Sequence, residues 1–277
     1  MSEFRPRGFN ILPLVIKNLL IINGLVFLAQ LKFGEVTLVD DPNFVPGHFL
    51  SDLFALHYWG SPLFKPHQLI THLFMHGSLV HIFFNMLTLW MFGSTLENMW
   101  GPKRFIIFYL VCGLGAALCH MGVLTYENMR LNAEINNYIS DPSLANFNAL
   151  NAHYDLVNSS NQQLFYPDNQ IKIEYGKVFL RNYQIAYRDS ATLGASGAVY
   201  GLLFAFGYLF PNSLIYIYFL VPLKAKYVVT LMILMELVSG IRNSAGDNIA
   251  HFAHLGGVLF SYLLLRTWNR RNRQNFY

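Results

Sequence analysis

The sequence predicts an all-α polytopic membrane protein with six transmembrane helices and both termini in the cytoplasm. Three observations carry this. Of 277 residues, 54% are hydrophobic and 12% charged, against about 25% charged in a soluble domain, and the mean hydropathy is +0.34. Apolar windows approaching the roughly 20 residues that cross a ~30 Å hydrocarbon core recur six times along the chain. Lysine and arginine segregate to alternate connections between them.

In order, the windows run from about Ile11 to Leu31, Leu79 to Met99, Phe105 to Thr125, Ala195 to Phe210, Tyr227 to Ile241 and Asn248 to Arg266. The basic start "MSEFRPRGFN" leads into the first span with no small-residue cleavage site, which reads as an anchored helix and not a removed signal peptide. Arg5, Arg7, Lys103, Arg104, Lys224, Lys226, Arg266, Arg270, Arg271 and Arg273 fall on the side shared by the termini. The opposite loops hold twelve acidic groups (Glu35, Asp40, Asp41, Asp52, Glu127, Glu134, Asp141, Asp155, Asp168, Glu174, Asp189, Asp247) against eight basic ones. Basic loops favour the cytoplasm. The pI near 9.0 therefore reflects topology, and no nucleic-acid partner is expected.

A single membrane domain is expected over 1–277, with its core at about 11–268. Two non-cytoplasmic segments interrupt the pattern. Residues 32–78 mix Pro, Gly and polar residues with "FLSDLFALHYW", which suggests short interfacial helices. Residues 126–190 form a long, polar, Asn-rich third outer loop, in which "IKIEYGKVFLRNYQI" reads as a short hairpin turning at Tyr175 to Lys177. The "NSS" at Asn158 is informative only in a glycosylating host. Cys112 and Cys119 lie in one span and supply no disulfide framework.

Polar groups at membrane depth are costly unless partnered or hydrated. The second span opens "HGSLVHIFFN", which sets His81 and Asn85 on one helical face below His76. The sixth reads "NIAHFAHLGGVLFSY", with His251 and His254 one turn apart, followed by Gly256 and Gly257. Taken singly, each would be a packing residue in a helix interface. At ~1.5 Å per residue, Ser196 stands about 22 Å above Pro211, His254 about 18 Å above Arg266, and Asn85 about 25 Å from Pro102. The three are nearly level. The fourth span, about 24 Å long, is shorter than the ~30 Å core. It therefore begins inside the membrane, at the floor of a wet pocket.

That geometry permits nucleophilic chemistry. Imidazole near neutral pH activates a serine hydroxyl, and no acidic residue adjoins His254 in the sequence, so a Ser-His dyad is expected. The first turn of a helix presents free N–H groups to an oxyanion at Ser196. Asn85 and His81 could add donors, and Gly194 and Gly197 make room for a substrate backbone.

With "GASG" at Gly194 to Gly197, "AHLGG" at Ala253 to Gly257 and "HGSLVHIFFN" at His76 to Asn85, the sequence resembles the rhomboid intramembrane serine proteases. The resemblance spans about Leu12 to Trp268 and implies a six-helix rhomboid-like bundle. It implies Ser196 as nucleophile, His254 as general base, and Asn85, His81 and the Ser196 N–H around the oxyanion, with His76 in the remaining polar position. It also implies that Tyr200 packs against the catalytic histidine and that Glu97 is a structural acid. Three features depart from the family pattern. The tryptophan-arginine pair of the first outer loop is His67 and Gln68, the last small residue of the final-helix packing motif is Ser261 where the family has glycine, and the third loop is about 65 residues long.

The expected activity is cleavage of single-spanning membrane proteins near the non-cytoplasmic surface. The expected setting is the lipid bilayer of a bacterial inner (plasma) membrane, with no cofactor and no metal. Two alternatives are kept. One is a metal-binding or metal-transporting protein using His67, His72, His76, His81, His251 and His254, although metal sites usually add carboxylate or thiolate ligands. The other is an inactive rhomboid-like protein that binds membrane clients, which would be expected to lack the serine or the histidine. Glu236, in the fifth span, reads as a packing or gating residue, and His120 and Lys17 as snorkelling near the interface.

Overall fold

The structure is a computed structural model that describes residues 9–38, 45–157, 170–217, 221–242 and 251–274. Arg5, Arg7, Asp40, Asp41, Asn158, Asp168, Asp247 and the expected start of the sixth span at Asn248 lie outside the described residues, as do the side chains of Arg270, Arg271 and Arg273. Ten helices are described: α1 (Leu14–Lys32), α2 (Phe49–Phe54), α3 (Gln68–Thr71), α4 (Leu79–Trp100), α5 (Pro102–Ser140), α6 (Leu144–Tyr154), α7 (Gln170–Arg188), α8 (Ser196–Leu209), α9 (Ala225–Arg242) and α10 (His251–Gln274). A helix occupies each of the six apolar windows. Among the described residues, α1, α4 and α5 are long and apolar enough to cross a membrane, and α8 is a shorter apolar helix.

Helix boundaries follow local chemistry. The Ser78 side chain caps α4 by accepting from the His81 N–H. Gly101, at φ 78°, ends α4, and Pro102 opens α5, a position where its missing N–H costs nothing. Both carboxylate oxygens of Glu97 accept from the first turn of α1, at the N–H groups of Val15 and Ile16 (2.9 Å each). An acid inside α4 thus satisfies the orphan donors of α1.

The core gathers Ile16 of α1, Leu89 of α4, Phe108 of α5, Leu202 of α8 and Leu265 of α10. α8 is the hub, packed against α4, α5, α9 and α10. Small residues bring the backbones together: a Cβ on Gly257 would stand 1.9 Å from the Gly197 carbonyl oxygen, and one on Gly197 would stand 2.4 Å from Ala116 Cβ. Ser261, fully buried, donates to the Gly201 carbonyl at 2.8 Å. The departure from glycine therefore adds a bond between α10 and α8.

The segment expected to be a third outer loop differs from expectation. α5 does not stop near Thr125; it continues to Ser140, and α6 and α7 fold back on it. Leu131, Ile135 and Tyr138 of α5, Phe147 and Leu150 of α6, and Leu180 of α7 form a separate buried cluster. The hairpin expected at Tyr175 to Lys177 is continuous helix. Gly176 marks a close crossing and not a turn, since a Cβ there would lie 2.6 Å from the Tyr138 hydroxyl.

The first outer loop is tied to the strand before the serine. β1 (Leu56–His57) pairs antiparallel with β2 (Ala191–Thr192), with Leu56 opposite Thr192, and Ser61 Oγ donates to Asp189 at 2.7 Å. Gln68, which stands where the family pattern has arginine, is fully buried and knots the loop. Its Oε1 accepts from the N–H groups of His57 and Lys65, and its Nε2 donates to the carbonyls of Asp52 and Leu63. A second small hairpin, β3 (Leu214–Ile217) with β4 (Val221–Lys224), links α8 to α9.

Candidate active site

Ser196 is the first residue of α8, where its N–H has no intrahelical partner. Gly194 precedes it at φ 124°, a conformation that L side chains rarely adopt. Its N–H donates to the His72 carbonyl at 2.9 Å, and a Cβ would strike the His81 ring at 2.8 Å. Glycine at 194 therefore lets His81 close over the serine.

On α10, His254 Nε2 lies 2.9 Å from Ser196 Oγ. The Tyr200 ring, one turn below the serine, stacks on the imidazole at 4.2 Å between centroids and 6° between planes. A cavity of about 730 Å³ opens on the pair, walled by His72, His81, His120, Thr192 and Ala253 among others. It is large enough for a peptide segment and for water.

His81 lines this cavity, and its ring meets that of His76 at 5.1 Å. His76 is fully buried, with neither ring nitrogen hydrogen-bonded among the described residues, and its backbone is clasped by the Gln30 side chain of α1. Burial, reinforced by the facing His81, lowers the pKa of His76 to about 3. His72 is similarly lowered by burial, to about 4, although Nδ1 donation to the Gln68 carbonyl favours its charged form. Asn85 is buried, and its Nδ2 has no partner among the described residues.

The structure corrects the expectation that no acid accompanies His254. Glu236 Oε2, from α9, lies 3.0 Å from His254 Nδ1 and 2.6 Å from His251 Nδ1, and the Tyr200 hydroxyl donates to Oε1. The His254 contact has ion-pair distance without hydrogen-bond alignment, since Nδ1 has no aligned acceptor among the described residues. The one signal in the sequence was the carboxylate itself, because an acid at membrane depth requires a partner. His120 is also corrected: it does not snorkel outward but faces the cavity and bonds Thr192 Oγ1 at 2.8 Å. Lys17 is exposed.

Glu236, His251 and His254 offer ligand atoms within 4.8 Å of one another, a set of the kind a divalent transition metal takes. The other histidines of the metal reading do not join it. His67 bonds the Leu53 carbonyl and His72 the Gln68 carbonyl.

Fold and site together define a helical membrane protein with a serine-histidine pair facing a cavity lined by several histidines. The family model of the Rhomboid domain matches residues 64–144 and 156–271, and the chain belongs to the rhomboid family. It is 26% identical over 274 residues to an uncharacterized mitochondrial rhomboid protein of Schizosaccharomyces pombe, covering 91% of this chain and 64% of that one. It is 23% identical over 211 residues to RHOMBOID-like protein 12, mitochondrial, of Arabidopsis thaliana, covering 76% and 48%. Over 51 residues it is 39% identical to rhomboid protease GlpG of Salmonella choleraesuis, 18% of each chain. The chain thus spans about half to two thirds of the length of the first two. Two of these names are mitochondrial, so the relatives support a membrane protein and give no support to a bacterial inner membrane in particular.

Proposed function

We propose that the protein is an intramembrane serine endopeptidase, and the observation that carries this is the 2.9 Å approach of Ser196 Oγ to His254 Nε2 beside the cavity. His254 Nε2 takes the hydroxyl proton as Oγ attacks the scissile carbonyl carbon. The resulting oxyanion accepts from the Ser196 N–H and from Asn85, whose buried Nδ2 otherwise lacks a partner. His81 sits beside it on the cavity wall. His254 returns the proton to the leaving amine, and water entering through the cavity hydrolyses the ester on Ser196. Tyr200 steadies the base by stacking, while Gly194, Gly197 and Gly257 allow the close backbone approach.

The fold reading is a six-helix bundle crossing the membrane with both termini cytoplasmic. α8, 14 residues or about 21 Å, is shorter than the ~30 Å core, which sets Ser196 within the outer part of the bilayer. Substrates are single-spanning membrane proteins. The amides of an intact helix are mutually bonded, so the segment near the cut should carry helix-breaking Gly or Pro.

Purified protein incubated with a model transmembrane substrate, wild type beside Ser196→Ala, tests the reading. Cleavage by wild type alone is expected; equal cleavage by the alanine variant, or no cleavage by either form as for a client-binding protein, overturns it. The metal reading also requires loss of activity in chelator. Retained activity is expected here, because Tyr200 and His251 already occupy both oxygens of Glu236.

A further inference from the structure

We propose that Glu236 is a positioning residue for His254, a third member that turns the expected dyad into a Ser196-His254-Glu236 relay. The inference rests on the proteolytic reading above. Its grounds are geometric. The carboxylate reaches His254 twice: directly, with Oε2 3.0 Å from Nδ1, and through Tyr200, whose hydroxyl donates to Oε1 while its ring lies flat on the imidazole. His251 Nδ1, 2.6 Å from Oε2, fixes the carboxylate from the other side. Glu236 and His254 are both more than nine-tenths buried. A carboxylate in that setting is costly unless neighbouring groups compensate it, and among the described residues its hydrogen-bonding and ion-pair partners Tyr200, His251 and His254 belong to the site.

The role follows from proton bookkeeping. For Nε2 to accept the Ser196 proton, Nδ1 must carry the other ring proton. That Nδ1–H is buried with no aligned acceptor among the described residues, and Glu236 Oε2 stands within ion-pair reach. When Nε2 takes the serine proton the ring becomes cationic, and the neighbouring anion then stabilises the charge that develops. Catalytic contacts that are poorly aligned in a free enzyme commonly tighten in the substrate complex. The groups facing His254 are His81 from α4, His120 from α5, Tyr200 from α8, Glu236 from α9 and His251 on its own helix. Glu236 is the anion among them. Glu127 of α5 also lines the cavity, but it accepts from the Tyr187 hydroxyl. Because Glu236 stands on α9 while the serine and the base stand on α8 and α10, the relay makes the base depend on how α9 is seated.

The test uses the full chain, purified, with a model single-spanning substrate from pH 5 to 9, comparing wild type, Ser196→Ala, Glu236→Gln and Glu236→Asp. Labelling of Ser196 by a fluorophosphonate is read in parallel. Glu236→Gln should lower kcat about 10- to 100-fold at nearly constant KM, a smaller loss than in aligned soluble triads. It should also move the acidic limb of the pH profile to lower pH, since the variant lacks the anion that would offset a positive charge in the site. Glu236→Asp should keep the limb in place and fall between the two in kcat. Glu236→Gln at wild-type kcat, an unmoved acidic limb, or Gln outperforming Asp overturns the inference. If Glu236→Gln does not fold, Glu236→Asp decides alone: reduced kcat with an unmoved limb supports the relay, and wild-type kcat overturns it. The two readings fail separately. Cleavage by Ser196→Ala sinks the protease, and the labelling rates of the Glu236 variants still report whether the serine depends on the carboxylate.

Discussion

The carbonyl of Gly197 and the Cα of Gly257 meet so closely that a Cβ on Gly257 would lie 1.9 Å from that oxygen. This contact lies one residue from Ser196 and three from His254, so the packing of α8 on α10 also sets the distance between these two side chains. Gly257→Ala must push the helices apart, an overpacking cost of about 1–3 kcal/mol. Because a misplacement near 1 Å can cost about 10²-fold in rate, the variant should lose cleavage out of proportion to its lowered unfolding temperature. A folded Gly257→Ala enzyme with wild-type kcat would show that this contact does not position the pair.

Glu97 predicts the opposite pattern. Among the described residues its carboxylate accepts from the Val15 and Ile16 N–H groups at the head of α1, away from the serine. Glu97→Ala strands two donors, at about 1–3 kcal/mol for a buried unsatisfied group. Thermal unfolding in detergent should fall accordingly, while kcat well below the transition stays within about twofold of wild type.

Asn85 should behave differently again. Its Nδ2 is buried without a partner among the described residues, so Asn85→Ala relieves a desolvated donor and should leave stability unchanged or raised. If the donor meets the oxyanion, kcat falls about 10²- to 10³-fold with KM little altered. A loss of stability together with intact kcat would assign Asn85 to packing.

What the sequence made legible follows from the range of each interaction. Apolar windows marked the helices because burial in lipid demands an uninterrupted run, and "GASG" and "AHLGG" marked the close approach because only glycine permits it. The α5–α6–α7 cluster escaped because its core is assembled from three helices. Leu131, Ile135 and Tyr138 recur at helical spacing, but polar neighbours dilute them and their partners Phe147 and Leu180 are distant. Gly176 showed only that a side chain was forbidden, which suits a turn as well as a crossing. Glu236 announced a need for a partner without naming His254 or His251, and Gln68 anchors the first loop through bonds that carry no sequence period.

Acid should destabilise the fold through two buried histidines. His72 is held near pKa 4 and His76 near 3, both by burial, while an unfolded histidine titrates near 6.5. Below that value the unfolded chain binds more protons, so stability is complete above about pH 6.5 and falls as pH drops toward 4. The slope approaches about 1.4 kcal/mol per pH unit for each histidine. Unfolding measured at pH 7, 6 and 5 should therefore weaken stepwise, and His72→Gln, which removes one titrating group, should flatten the dependence. A wild-type profile flat from pH 7 to 5 would contradict the assignment.

The insertion offers a cycle that distinguishes helix from hairpin. A Cβ at Gly176 would lie 2.6 Å from the Tyr138 hydroxyl oxygen, so Gly176→Ala should loosen α7 from α5 by about 1–3 kcal/mol. Limited proteolysis or amide exchange within residues 170–188 reads that loosening. Removing the obstructing oxygen with Tyr138→Phe should restore protection in the double variant, because the cost arises from one atom. The Tyr138 hydroxyl has no hydrogen-bond partner among the described residues, so Tyr138→Phe alone should be neutral or mildly stabilising. Residues in contact deviate from additivity by about 0.5–3 kcal/mol, whereas distant sites add. A hairpin with its turn at Gly176 would instead show additive losses, and alanine there would be unfavourable whatever stands at 138.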